Sequence, residues 1–132
     1  MIGDFGKDLD DEKALCVAVA MRRLGLVGDV NVISNLGCSI PRALLAKGTL
    51  QALGAGDCPV VAGSDGGQPK EELYNHEFQH AGYLASADDL DDRGATDLVF
   101  SVLGEAKAAQ RKVCFALNSA LTDMDAVLED PR

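Results

Sequence analysis

The sequence has no tryptophan, two tyrosines and four phenylalanines, so its core has to be filled by alanine, leucine and valine rather than by large rings. Positive charge is scarce too. Twelve lysines and arginines face 21 aspartates and glutamates, a formal charge of -9. A nucleic-acid backbone and an anionic membrane surface each need a basic face, so neither is an expected partner. Small neutral substrates and divalent cations remain compatible with the balance. No apolar run approaches the roughly 20 residues needed to span a bilayer. The amino end turns acidic at Asp4 and lacks the basic-then-apolar order of a signal peptide. Cys16, Cys38, Cys58 and Cys114 contain no Cys-x-x-Cys pair, which argues against both a zinc site and a redox motif. Buried reduced thiols and a cytoplasmic location are the expectations.

What is present is ordinary for a folded domain: 132 residues, 47% hydrophobic, with a mean hydropathy of +0.03. That length accommodates one domain or part of one, since domains commonly run to roughly 100–200 residues.

Strand and helix patterns alternate along the chain. Met1 and Ile2 read as the end of a first strand. Residues 11–24 form a helix that is apolar on most faces (Ala14, Leu15, Val17, Ala18, Val19, Met21), as suits a helix packed on a sheet and partly covered by neighbours. Arg22 and Arg23 fall in its last turn, where cations favour the helix dipole. The β-branched run 30–34 predicts a second strand. Ser39 is the expected N-cap of a helix over 40–53, with Pro41 tolerated in the first turn. Residues 58–62 predict a third strand, closed by the glycine loop 63–67. That loop is not a phosphate cradle, because no Gly-Lys-Ser/Thr follows and Asp65 would repel phosphate. A helix over 95–109 carries Leu98, Val99, Val102 and Leu103 on one stripe. A buried strand is expected over 112–117, its exit loop over 118–123 and a last helix over 121–128. Strands alternating with helices imply an α/β fold: a mostly parallel sheet with helices on both faces.

Two features tempt a metal assignment. His76-Glu77-Phe78-Gln79-His80 matches the bare His-Glu-x-x-His pattern, but only three positions are fixed, no third ligand is near by and Gly82 follows closely. A zinc protease is therefore not the expectation. The acidic stretch 88–92 has no strand feeding it and reads as a solvated loop. The stretch from Asp4 to Glu12 is different. It places Asp4, Asp8, Asp10, Asp11 and Glu12 between a strand end and a helix start. Ligands of open α/β sheets gather beyond the carboxyl ends of strands, and carboxylates this close repel unless a cation, donors or a shared proton relieves them. A metal or catalytic site fits this pattern, and so does a solvated, acid-rich helix start stabilised by the dipole.

Three segments in order resemble the inosine/uridine-preferring nucleoside hydrolases. Asp4-Phe5-Gly6-Lys7-Asp8-Leu9-Asp10-Asp11 is similar to the Asp-x-Asp-x-x-x-Asp-Asp loop with which that family opens. Pro59-Val60-Val61-Ala62-Gly63 looks like its Pro-Val-x-x-Gly strand. Ala116-Leu117-Asn118-Ser119-Ala120-Leu121-Thr122-Asp123 is similar to its segment ending Leu-Thr-Asn, and Asp130-Pro131 fits the family's next stretch. The resemblance spans nearly the whole chain. It implies a nucleoside hydrolase-like fold and hydrolysis of the N-glycosidic bond of a ribonucleoside, with Ca²⁺ binding the ribose hydroxyls and the attacking water. By position, Asp11 matches a metal ligand, Asp10 a ribose contact and Asp4 the first acid of the loop. Asn118 falls where a main-chain carbonyl reaches the metal.

The chain also departs from the family. Gly6 stands in place of the catalytic, metal-binding aspartate, and Asp8 stands where the family usually has glycine. Cys38 occupies the position of an asparagine that follows the glycine of the second loop, with Asn35 near but displaced. Either Asp8 replaces the missing acid as general base and metal ligand through a changed loop path, or the chemistry is altered or lost. The family's domain is about twice as long, and its later half supplies a histidine acid and a further metal-ligating aspartate that find no match. On that reading residues 1–132 form a single partial domain, and open sheet edges would favour a homo-oligomer. The expected site is thus Asp8 as catalytic base, Asp10, Asn35 and Cys38 as substrate contacts, and Asp4, Asp8, Asp11 and Asn118 around the metal. A non-catalytic metal- or ribose-binding remnant of the fold is the alternative. A Mg²⁺-dependent phosphotransfer domain is a third reading, but it lacks a phosphate-binding Lys or Thr after its later strands.

Overall fold

A computed structural model describes residues 1–67 and 82–132. The His76/His80 pair and the weakly helical expectation over 68–79 fall in the remaining segment and lie outside the described residues. Among the described residues three strands, β1 (Ile2–Gly3), β2 (Val32–Ser34) and β3 (Val60–Ala62), form an all-parallel sheet in the order β1-β2-β3. Four α-helices of the described residues accompany it: α1 (Asp10–Arg23), α2 (Ser39–Ala52), α3 (Ala95–Ala108) and α4 (Thr122–Glu129). This is the small α/β architecture expected from the alternation of patterns.

The twofold period of the strands sorts the core into two layers. Val32 and Val60 point to one face, where they pack with Phe5, Leu15 and Val19 and with Ala43, Ala46 and Leu50 of α2. Ile2, Ile33 and Val61 point to the other face and meet Leu98, Val99 and Val127 of α3 and α4. The short strands are therefore continuous apolar runs, as befits a parallel sheet covered on both sides. Their carboxyl ends, at Gly3, Ser34 and Ala62, share one rim because the register pairs Gly3 with Ser34 and Ser34 with Ala62.

Three local expectations are corrected. The buried strand over 112–117 is realised among the described residues only as a single parallel bridge between Ile2 and Leu117. The Ile2 N–H donates to Ala116 O and the Asn118 N–H to Ile2 O, each at 2.9 Å, yet Cys114, Phe115 and Leu117 are exposed. Neither core layer extends over them. Cysteine burial holds for Cys58 alone. Cys38 is half-buried and Cys16 and Cys114 are exposed. The inward residues of α1 are Asp11, Leu15 and Val19, spaced four apart, which turns Cys16 and Val17 outward. Finally, α2 starts at Ser39 itself, so Cys38 holds the capping position and no side-chain cap bond forms.

Candidate functional site

The loop from β1 to α1 brings the acids to the rim. Gly6 turns the chain with φ +94°, a conformation that favours glycine, and its N–H donates to Glu12 Oε1 at 2.9 Å. The first turn of α1 then presents Asp10, Asp11 and Glu12. One carboxylate oxygen from each of Asp8, Asp10 and Asp11 lies within 4.8 Å of the others; Asp8 and Asp10 are exposed and Asp11 is buried.

Asp11 is the unusual member. It is 1% exposed, and no donor meets either carboxylate oxygen at full hydrogen-bond geometry, the nearest polar groups being the carboxyl and backbone of Asp4. It is seated against β1, where only glycine leaves room: a Cβ on Gly3 would stand 2.4 Å from Asp11 Oδ1. Burial is the main force pushing its carboxyl up to about 7. The Asp4 carboxyl beside it and the negative charges of Asp4 and Asp10 add to the effect, while the Asp4 backbone opposes it. The Glu12 carboxyl is also raised, chiefly by burial, and its Oε2 is buried without a partner.

A second polar group occupies the same rim on the α3/α4 side. Asn35, fully buried, follows β2 and donates its amide to Ala120 O at 2.8 Å and to Asp123 Oδ2 at 2.7 Å. Asp123, 6% exposed in the first turn of α4, also accepts from the Ser64 N–H at 2.8 Å and the Ser64 hydroxyl at 2.9 Å. Gly63 makes the space, because a Cβ there would sit 2.9 Å from both carboxylate oxygens of Asp123. Asn35 Oδ1, Ser34 Oγ and Ser119 Oγ remain buried without partners. Together with Asp11 and Glu12 they concentrate unsatisfied oxygens at the carboxyl rim of the sheet.

The structure thus brings together Asp8, Asp10 and Asp11, with Asp4 beside Asp11. Asn118 is held beside β1 through its N–H. Asn35 is placed on the rim with its amide nitrogen committed and its oxygen open. Cys38 lies half-buried before α2. Sequence pattern alone assigns no role to Arg42, Ser64 or Asp123, and marks Glu12 only as one of the clustered acids of the first loop. Asp123 follows a strand-exit loop and opens a helix, the same context that singles out Asp11, so a signal is present for it. Arg42 leaves none, since a basic residue in the first turn of a helix reads as a solvated side chain.

No known protein family, no curated protein and no solved structure matches the chain. Among the described residues, no helix is long and apolar enough to cross a membrane.

Proposed function

We propose that the chain is a metal-dependent hydrolase of the nucleoside hydrolase kind, cleaving the N-glycosidic bond of ribonucleosides in the cytoplasm with Ca²⁺ held by the acidic loop. One observation carries the reading: Asp11 is buried with both carboxylate oxygens unpartnered, beside the oxygens of Asp8 and Asp10. A buried charge without donors is costly until something neutralises it. Oxygen atoms within 4.8 Å of one another match a hard cation whose ligands stand at roughly 2.3–2.6 Å.

Asp4, Asp8 and Asp11, with the carbonyl of Asn118, are the residues that would hold the ion. When bound, Ca²⁺ supplies positive charge that orients water and lowers its pKa. Asp8, exposed on the loop, is assigned the general base that takes the proton of the attacking water. Asp10, Asn35 and Cys38 are assigned to the sugar; Asn35 has its unpartnered Oδ1 to accept from a hydroxyl. The negative charge of the loop would stabilise the positive charge that develops on the ribose as the base departs.

The test is release of ribose from inosine and uridine, measured with Ca²⁺ and after chelation. Asp8→Asn is expected to lower the rate at least about 100-fold, the low end for general-base catalysis; a near-normal rate removes Asp8 from that role. One observation favours a second reading, a non-catalytic cation- or ribose-binding protein. Gly6 brings no carboxylate to the turn, and its N–H is taken by Glu12. Saturable Ca²⁺ binding with no ribose release would select that reading.

A further inference from the structure

Arg42 projects from the first turn of α2 into the interior, where it is 6% exposed. Its guanidinium reaches two loops that are far apart in sequence. Nε donates to Leu36 O at 3.0 Å, in the loop after β2. Nη1 donates to Phe5 O at 2.9 Å and Asp4 O at 3.2 Å, in the loop after β1. Leu36 has φ +74°, a left-handed conformation that is strained for a bulky residue and persists only where the surroundings impose it. The Leu36 N–H is tied in turn to Ser64 O at 3.1 Å, beyond β3.

We infer that Arg42 is a positioning residue: by clamping the carbonyls of Asp4, Phe5 and Leu36 it fixes the path of the acidic loop, and so where the Asp4 and Asp11 carboxylates stand relative to one another. The inference rests on the acidic loop being the working site. A guanidinium suits the task because its planar fork holds several acceptors in set directions, whereas an ammonium is a point donor on a flexible stem. Groups that orient ligating carboxylates from behind typically control about 10–100-fold in metal affinity. Arg42 is assigned no contact with substrate or ion; it acts through the backbone of Asp4 and Phe5.

The experiment compares the wild-type chain with Arg42→Lys and Arg42→Gln. Ca²⁺ affinity is read by calorimetry, Tb³⁺ luminescence lifetimes in H₂O and D₂O report the waters left on the ion, and amide exchange is followed at Asp4, Phe5, Gly6 and Leu36. Arg42→Lys is expected to weaken Ca²⁺ about tenfold, to admit more water to Tb³⁺ and to speed exchange in both loops, with Arg42→Gln weaker still. Unchanged affinity and lifetime in Arg42→Lys would overturn the inference. If the wild type binds neither ion, the metal reading fails by itself, and the exchange data then decide the clamp: faster exchange in both loops upholds it, and changes confined to α2 overturn it. Should neither variant fold, the wild-type Arg42 Nε–H resonance decides. Slow exchange with solvent is expected, and rapid exchange would overturn the clamp.

Discussion

Asp11 and Asp123 are both buried at the carboxyl rim of the sheet, one on each face, and both owe their space to a glycine. Their surroundings are opposite. Asp123 accepts from the Asn35 amide, the Ser64 N–H and the Ser64 hydroxyl, and so joins α4 to the ends of β2 and β3. Asp11 meets no donor at full hydrogen-bond geometry and faces the carboxyls of Asp4 and Asp10, with the Asp4 backbone as its one favourable polar neighbour. A buried carboxylate surrounded by donors serves as structure. One left among other carboxylates carries a proton or waits for a cation.

The largest effect should come from breaking the satisfied member. Asp123→Ala leaves the Asn35 amide and both Ser64 donors without this acceptor in a buried place, and each orphaned group costs about 1–3 kcal/mol. A loss of roughly 3–5 kcal/mol in denaturant unfolding is expected. A change under about 1 kcal/mol would mean that the network contributes little.

Titration sharpens the contrast from the other side. Because the Asp11 carboxyl stands near 7 in the fold against about 3.9 in an unfolded chain, the folded state binds more protons between those values. Stability without metal is therefore greatest at low pH from this group and declines as pH rises from about 4 through 7. Asp11→Asn should flatten this decline, and an unchanged profile in that variant would assign it to other groups.

The two glycines give the smallest and most local comparison. Gly63→Ala puts a methyl group 2.9 Å from both Asp123 oxygens and 2.8 Å from the Ile33 side chain, an overpacking that costs about 1–3 kcal/mol. Gly3→Ala puts one 2.4 Å from Asp11 Oδ1 and displaces that carboxylate. The first substitution should lower the unfolding midpoint and leave Ca²⁺ binding alone. The second should weaken Ca²⁺ about tenfold, with a smaller effect on unfolding. Equal effects of both on both measurements would dissolve the distinction.

Much of this fold follows from local pattern. Val32-Ile33 and Val60-Val61 are short apolar runs between turn residues, and they form the strands. The helices starting at Asp10, Ser39, Ala95 and Thr122 fall within one residue of their expected starts. The segment 112–117 has the same apolar look but gains only one bridge, because coverage by other elements decides whether such a run becomes a buried strand, and that is a tertiary property. Cys16 is exposed for a related reason: all-round apolarity in α1 does not say which face the sheet will take. In the site, the acids of the first loop are legible because charge clustering is a local signal. The partners of Asp123 are not, since Asn35 and Ser64 lie 88 and 59 residues away in sequence. Arg42 is the plainest case, because its hydrogen bonds to Asp4, Phe5 and Leu36 join two loops that local pattern does not connect.

Whether Asp11 is left unsatisfied for a cation is decided by calorimetric titration of metal-free protein with Ca²⁺, in wild type and Asp11→Ala. Saturable binding of one ion that falls at least about 100-fold in the variant is expected, since removing one partner of a buried charged pair costs about 3–5 kcal/mol. Equal binding by the two proteins, or no binding by either, would contradict it.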